Sequence, residues 1–403
     1  MTFGPLNKWT ALAWSALAVV MSLTTWFSAS AVASELTAEF MLTDSEAAWL
    51  VNAVQAGFVI SAFASSILSL VDFWPALRVM TFASLAAGGA NLLISAAPNP
   101  EMLLASRFAT GMALAMVYPV SMKFIATWFR TGRGLAMGTM VGALTLGSAA
   151  PHLMRTFEAD TDWKLVVYLS SALCLVAALI FGLVLREGPH EFPRVRADVK
   201  QFGAILRNRS VMLANLGYFG HMWELYAMWG WFLAYVLAAQ ATGMEIGNAS
   251  LLAFAVIALG SPSCVVAGWL ADRIGRATTT SLAMTVSGLS ALVIGFAFDG
   301  PAWLFAALAF IWGFTVVSDS AQFSAAVSEL ADPKYVGSAL AFQMSVGFAI
   351  TMFTVWLVPQ VADWLGSWRW SFAILALGPL LGVPAMLALR TRPDAKKMAG
   401  GMR

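Results

Sequence analysis

The sequence predicts an all-α membrane protein with twelve transmembrane helices, arranged in two pseudo-symmetric bundles of six. Three observations lead to this fold class. Of the 403 residues, 60% are hydrophobic and only 11% are charged, and the mean hydropathy of +0.77 is far above that of soluble globular proteins. Apolar segments long enough to cross a bilayer follow one another along the whole chain. The longest polar interruption, residues 186–209, falls near the middle.

Each predicted span is a run of about 20 mostly apolar residues, the length that crosses the hydrocarbon core as a helix. The start of the first span resembles a signal peptide, with Lys8 before an apolar run and an A-x-A sequence at 31–33. That run is longer than the roughly 7–15 residues of a signal core, so we expect an uncleaved first helix. In chain order the spans lie at residues 9–32, 47–70, 77–97, 101–122, 134–154, 163–185, 210–239, 248–270, 277–298, 301–325, 336–358 and 369–390.

The distribution of lysine and arginine predicts the orientation, because cytoplasmic loops of membrane proteins carry an excess of these residues. With a cytoplasmic N-terminus, the external segments hold only Arg155, Lys164 and Arg369 of the 23 basic residues. Both termini are therefore expected in the cytoplasm. The predicted domains are an N-terminal bundle over 1–189, a cytoplasmic linker over 190–209, and a C-terminal bundle with a short cytoplasmic tail over 210–403.

An acidic and then basic turn follows the second span of each half, which suggests an internal duplication. The N-terminal copy is VDFWPALR at 71–78, with Asp72, Arg78 and the segment Phe-Trp-Pro between them. The C-terminal copy is GWLADRIGR at 268–276, which contains Gly268, Asp272, Arg273, Gly275 and Arg276.

This C-terminal loop resembles the signature of the major facilitator superfamily, in which a glycine is followed by Asp-Arg and Gly-Arg between two spans. A second stretch, SRFATGMALA at 106–115, resembles the fourth-span pattern of that family through Arg107 and Gly111. The resemblance covers essentially the whole chain. It implies the two-bundle fold of the family, a cavity lined by spans 1, 4, 7 and 10, and a conformational gating role for both loops. The alternative for the loops is an ordinary positive-inside connection.

Three charged residues lie well inside predicted spans: Arg107 in span 4, Glu224 in span 7 and Asp319 in span 10. A charge near the bilayer centre costs on the order of 3 kcal/mol, so such residues usually face a cavity or a partner. All three fall on spans that the resemblance assigns to the cavity. His221, three residues before Glu224 and on the same helix face, adds a side-chain type that changes charge near neutral pH.

We expect Glu224, His221 and Asp319 to couple proton movement to transport, and Arg107 to attract an anionic group of the solute. A static polar contact is the alternative for His221 and Glu224. Asp319 could instead pair with Arg107 or extend toward the cytoplasm. The substrate site is completed by polar and aromatic residues, each of which could alternatively hold helices together: Thr24, Trp26, Asn52, Gln55, Trp223 and Gln343.

The sequence therefore predicts a secondary active transporter for a small organic or inorganic anion, working by proton-coupled alternating access and similar to anion and cyanate permeases. The alternatives are a proton-driven multidrug or cation exporter and, from another class, a non-transporting receptor or assembly factor. We expect neither an enzyme nor a cofactor, metal site or nucleic-acid partner. The expected partners are the solute, protons or another coupling ion, and the lipid bilayer. We further expect a monomer in the plasma membrane, specifically the bacterial inner membrane.

Overall fold

The computed structural model describes residues 7–68, 74–129, 133–156, 162–190, 202–332 and 336–402. Within these ranges every regular element is a helix. The chain divides into two compact units, Met1–Arg194 and Val195–Arg403. Of the predicted linker, residues 191–201 lie outside the described part of the chain.

In the first unit, α4 packs along α6, α5 packs against α6 and α9, and α1 packs against α8 and α9. Asn7 and Asn99 accept backbone N–H groups of the first turns of α1 and α6, which explains where these helices begin. The helices are α1 (Lys8–Leu23), α2 (Ser28–Ala31), α3 (Ala33–Phe40), α4 (Asp44–Leu68), α5 (Ala76–Leu92), α6 (Pro100–Leu114), α7 (Tyr118–Ala126), α8 (Arg133–Thr156) and α9 (Lys164–Leu179).

In the second unit, the 33-residue helix α11 is the central element and packs along α17 and α18. A turn over Ser371–Ala376 precedes α18, and a short tail, Pro393–Gly401, follows it. The helices are α10 (Phe202–Arg207), α11 (Arg209–Ala241), α12 (Ala249–Ala258), α13 (Gly260–Ile274), α14 (Arg276–Val293), α15 (Ala302–Thr315), α16 (Ser320–Leu330), α17 (Val336–Leu365) and α18 (Leu377–Thr391).

Nine helical segments of the described residues are long and apolar enough to cross a membrane. They correspond to predicted spans 2 to 4, 6 and 8 to 12, and they establish a multi-pass membrane protein. Predicted spans 1, 5 and 7 form α1, α8 and α11 but are not among the nine. Helix α1 has only 16 residues, and polar or small residues lower the mean hydropathy of α8 and α11. The count of twelve stays a prediction.

Predicted spans 1, 4 and 10 each contain a short interruption of the regular helix, although the segments that cover spans 4 and 10, Pro100–Ala126 and Ala302–Leu330, are long and apolar enough to cross a membrane. Residues 24–27 separate α1 from α2, residues 115–117 separate α6 from α7, and residues 316–319 separate α15 from α16. In the first break the hydroxyl of Thr25 donates to the carbonyl of Ser22 at 2.8 Å. In the third, the hydroxyl of Ser318 donates to the carbonyl of Thr315 at 3.0 Å. Such local bonds compete with the helical pattern.

Glycines bring paired helices together at equivalent places in the two units. A Cβ added to Gly111 would lie 1.9 Å from the carbonyl oxygen of Val54, and one added to Gly313 would lie 2.1 Å from that of Val256. Val54 and Val256 are separated by the same number of residues as Gly111 and Gly313. The two contacts agree with the internal repeat that the sequence suggests, and only glycine permits the close backbone approach.

Candidate functional site

Arg107 lies in α6 and is fully buried, with 0% of its surface exposed. Its Nε donates to the carbonyl of Leu50 at 3.1 Å, one Nη donates to the carbonyl of Thr25 at 2.8 Å, and the other Nη donates to the carbonyl of Trp26. The close packing of α4 on α6 at Gly111 brings Leu50 within reach. Arg107 therefore binds carbonyl groups in the break between α1 and α2, where helical bonding is interrupted.

A chain of polar side chains extends from this arginine through the first unit. Oγ of Ser28 lies 3.4 Å from an Nη of Arg107 and donates to Oδ1 of Asn91 at 2.6 Å. Nδ2 of Asn91 in turn donates to Oγ of Ser171 at 3.0 Å. The network joins α2, α5, α6 and α9. It supports the alternative role that the sequence left open for polar residues in spans, the stabilisation of helix packing.

The other predicted substrate-binding residues of the first unit are all buried. Thr24 donates to the carbonyl of Met21 at 2.7 Å, which is a local bond in the break after α1. Trp26 packs edge-on against Phe58, with ring centroids 5.1 Å apart. Asn52 and Gln55 lie on α4, on the stretch that packs against α6. The structure thus gathers these residues around the α1–α2 break and α4.

Glu224 lies in the middle of α11 and is 2% exposed. Its Oε1 accepts a hydrogen bond from Oγ of Ser287 on α14 at 2.5 Å and another from Nε1 of Trp312 on α15 at 2.6 Å. The carboxyl group is consequently held by two neutral donors from two different helices. Neutral donors supply no fixed counter-charge to a carboxyl group, whereas a salt bridge to a base would stabilise the anion more strongly.

His221 lies one turn before Glu224 but has a different partner. Its Nδ1 is 2.9 Å from Oδ1 of Asp319, the last residue of the break between α15 and α16. The two atoms are as close as those of an ion pair. Oδ1 of Asp319 nevertheless receives no hydrogen bond within the described part of the chain, so the imidazole N–H is not aligned with it. His221 and Glu224, one helical turn apart, therefore contact different neighbouring segments.

Several buried polar atoms of α11 and α17 in the second unit lack a hydrogen-bond partner among the described residues. They are Nε2 of His221, Oδ1 of Asn215 and Nε2 of Gln343. Gln343, on α17, uses its Oε1 to accept from Ser324 at 3.2 Å. Buried polar atoms are rarely left without partners in native structures, so this region has the chemistry of a site for water or a polar solute.

Trp223 is not brought to these polar residues. Its indole N–H donates to the carbonyl of Ile374 at 3.0 Å. The ring lines an apolar groove of about 450 Å³ together with residues of α17, including Val346 and Phe353. This position is explained by the helix geometry, since Trp223 and Glu224 are adjacent in sequence and project from different faces of α11.

The C-terminal signature loop has its glycine at a position that requires one. Gly275 joins α13 to α14 with a φ of 92°. This backbone conformation is strained for residues other than glycine. Arg276 then makes two bonds to Glu329 at the end of α16, at 2.7 and 2.6 Å. It also donates to Oε1 of Gln322 at 2.7 Å.

The remaining residues of the two loops have more exposed positions. Asp272 and Arg273 are exposed, and the guanidinium of Arg273 stacks on Trp269 at 3.8 Å, while Gly268 is buried in α13. In the N-terminal copy Arg78 is exposed at the start of α5, and Asp72 lies outside the described residues.

Sequence reasoning missed Ser287, Trp312 and Ser28, which contact the buried charges, and Asn91, which binds Ser28. Asn91 carried a signal, because an amide in an otherwise apolar span requires a hydrogen-bond partner. Trp312 carried none, since one tryptophan among the 17 of this chain does not stand out.

Comparison with known families and proteins gives a consistent result. The model of the Major Facilitator Superfamily matches residues 15–314 and 225–401. The MFS-type transporter pytF of Aspergillus terreus is 27% identical over 183 residues, which cover 44% of this chain and 59% of that protein. MFS-type transporter 1 of an Ophiocordyceps species is 23% identical over 301 residues, which cover 72% of this chain and 65% of that protein. The chain thus spans less than two thirds of the length of these curated relatives.

Solved structures share the fold over nearly the whole chain. A bacterial homolog of the human lysosomal transporter Spinster, in an inward-facing and occupied conformation, has a TM-score of 0.71 at 13% identity and covers 98% of this chain and 99% of its own. The proton:xylose symporter XylE, bound to 6-bromo-6-deoxy-D-glucose, has a TM-score of 0.73 at 15% identity and covers 95% of both chains. At such identities the likeness shows the fold alone.

Proposed function

The chain belongs to the Major Facilitator Superfamily, and from this premise we propose a secondary active transporter that couples movement of a small solute to protons through His221, Asp319 and Glu224. The contact of 2.9 Å between His221 and Asp319 is the observation that carries the proposal. Both side chains are buried, and they join α11 to the break between α15 and α16.

Protonation changes the energy of this contact. An imidazolium and a carboxylate attract one another strongly where water is excluded, and adding a proton to the acid or removing one from the base cancels that attraction. The break before α16 is then free to shift relative to α11. A proton-dependent contact between two segments of one unit is the kind of two-state element that alternating access needs.

The environment of Arg107 bears on the class of solute. Its donors already bind three backbone carbonyls, so an anionic solute would have to displace these bonds. The second unit, by contrast, holds two buried carboxyl groups, Glu224 and Asp319, neither of which is paired with a lysine or arginine within the described residues. This favours the second candidate, export or uptake of a cation or weak base that competes with protons, over the anion permease that the sequence predicted.

Reconstitution into proteoliposomes with an imposed pH gradient tests the coupling. Ethidium serves as the cation probe and formate as the anion probe, and a trapped dye reports internal pH. We expect ethidium flux coupled to proton movement, with a loss of about tenfold or more in Glu224→Gln and Asp319→Asn. Glu245→Gln removes an exposed carboxylate and is the matched control. Formate flux that requires Arg107 would contradict the cation assignment, and binding without flux of either probe would favour the receptor class.

The remaining features of this proposal come from the sequence. They are a monomeric protein, domains over 1–189 and 210–403 with a linker over 190–209, and cytoplasmic termini. We propose location in the plasma membrane. The curated relatives named above are fungal, so the narrower assignment to the bacterial inner membrane rests on sequence reasoning alone.

A further inference from the structure

A groove of about 590 Å³ runs between α4, α5 and α6 on the first unit. Its body is apolar and includes Phe82, Ala109, Met112 and Ala113. Met116 lines the groove as well. Its volume falls within the range of about 300–1,000 Å³ typical of small-molecule sites.

Small side chains keep this groove open. Alanines of α5 and α6 line it where larger residues would fill it, including Ala86, Ala109 and Ala113. From Arg78 to Ala86 the axis of α5 advances about 12 Å at 1.5 Å per residue. The apolar body therefore extends along about two turns of α5, a length that fits a stretch of hydrocarbon chain.

One end of the groove is polar and aromatic. Arg78 lies there in the first turn of α5, exposed, and its guanidinium makes no hydrogen bond or ion pair with any residue that the structure describes. The nearby carboxylate of Glu187 accepts from the backbone N–H of Leu77 at 3.3 Å and is not paired with this arginine. Trp74 is 59% exposed at the same end. Tryptophan and arginine are residues that anchor at the level of lipid headgroups.

We propose that this groove is a binding site for an anionic glycerophospholipid, with the phosphate on Arg78 and one acyl chain along α5 and α6. A guanidinium that has no partner among the described residues, at the end of an apolar groove, matches a ligand with one anionic end and one hydrocarbon body. On the orientation predicted from the basic residues, the site faces the cytoplasmic leaflet, where anionic lipids are concentrated. This site is separate from His221, Asp319 and Glu224, and the inference does not depend on the proposed transport function.

Native mass spectrometry of the full-length protein tests the site. The delipidated protein is titrated with phosphatidylglycerol or with phosphatidylcholine of the same acyl chains, and the retained lipid is counted. We expect the wild type to retain one phosphatidylglycerol and to prefer it to phosphatidylcholine. Arg78→Gln should weaken retention about tenfold, the loss expected for one charge-assisted contact.

Filling the groove should have the same effect without changing any charge. Ala113→Phe places a ring inside the slot, and Ala109→Leu is the second variant, because Ala109 is exposed and its substitution threatens folding less. Arg390→Gln and Ala388→Leu make equivalent changes at exposed positions of α18 and should bind lipid as the wild type does.

Three results would overturn the proposal. The first is equal retention of phosphatidylglycerol by the wild type, Arg78→Gln and Ala109→Leu. The second is equal retention of phosphatidylcholine and phosphatidylglycerol by the wild type. The third is binding of a single-chain fatty acid in the groove without binding of phosphatidylglycerol, which would replace the occupant proposed here.

Discussion

Replacement of Arg107 by methionine tests whether this buried charge holds the protein together or binds solute. The guanidinium donates to the carbonyls of Leu50, Thr25 and Trp26. Methionine preserves much of the apolar stem and removes all donors. The backbone at the break between α1 and α2 then loses its charged partner.

The size of the effect follows from the groups left behind. Leu50 lies inside α4, where the helical pattern continues to supply a donor to its carbonyl. The carbonyls of Thr25 and Trp26 lie in the break, and each buried acceptor left short of a donor costs roughly 1–3 kcal/mol. Relief from burying the guanidinium offsets part of this cost. We therefore expect the free energy of unfolding to fall by about 2–4 kcal/mol.

Unfolding of the purified protein in mixed detergent–SDS micelles measures this change. Arg390→Met makes the same substitution at an exposed position of α18 and should alter the free energy of unfolding by less than about 0.5 kcal/mol. The free energy of unfolding of Arg107→Lys should lie between those of the wild type and Arg107→Met, because one ammonium group does not reproduce the planar guanidinium that reaches three carbonyls. If Arg107→Met unfolds like the control and selectively loses solute binding, the structural role is refuted and the predicted anion contact is restored.

Two further predictions concern packing and the tail. Gly111→Ala should destabilise the protein by about 1–3 kcal/mol, because the added Cβ would meet a backbone carbonyl. Gly89→Ala is the control, since a Cβ at Gly89 would enter open space and should not destabilise the protein. Thermal unfolding of the two variants measures the difference. Glu329→Gln should accelerate tryptic cleavage within the tail Pro393–Gly401, since this carboxylate binds both Arg276 and the backbone N–H of Ala399. Glu245→Gln is the exposed control, and equal cleavage rates would contradict the role of Glu329.

Hydropathy predicted the class of fold because crossing a bilayer imposes a length and a composition that local sequence displays directly. The same reasoning located Arg107, Glu224 and Asp319 as residues that need a special environment, and all three are buried. The signature loop was equally visible, since Gly275 occupies a backbone conformation that favours glycine. These features depend on one segment of chain at a time.

The partners of the charged residues could not be predicted in the same way. A hydropathy profile does not show that span 1 breaks after Leu23 and exposes carbonyls to Arg107. Nor does helical spacing decide whether His221 contacts Glu224 or Asp319, because the outcome depends on which helix packs against α11. Tertiary packing determines these choices, and it is only weakly encoded in local pattern.

The two units use buried charge differently, although the sequence suggests that they arose by duplication. In the first unit a permanently charged arginine binds backbone carbonyls, which have no protonation equilibrium of their own in this pH range. In the second unit a carboxyl group receives hydroxyl and indole donors, and a second carboxyl group contacts an imidazole. Only the second arrangement changes its interaction energy when a proton arrives, so a proton-sensitive step is expected to depend on α11, α15 and α16.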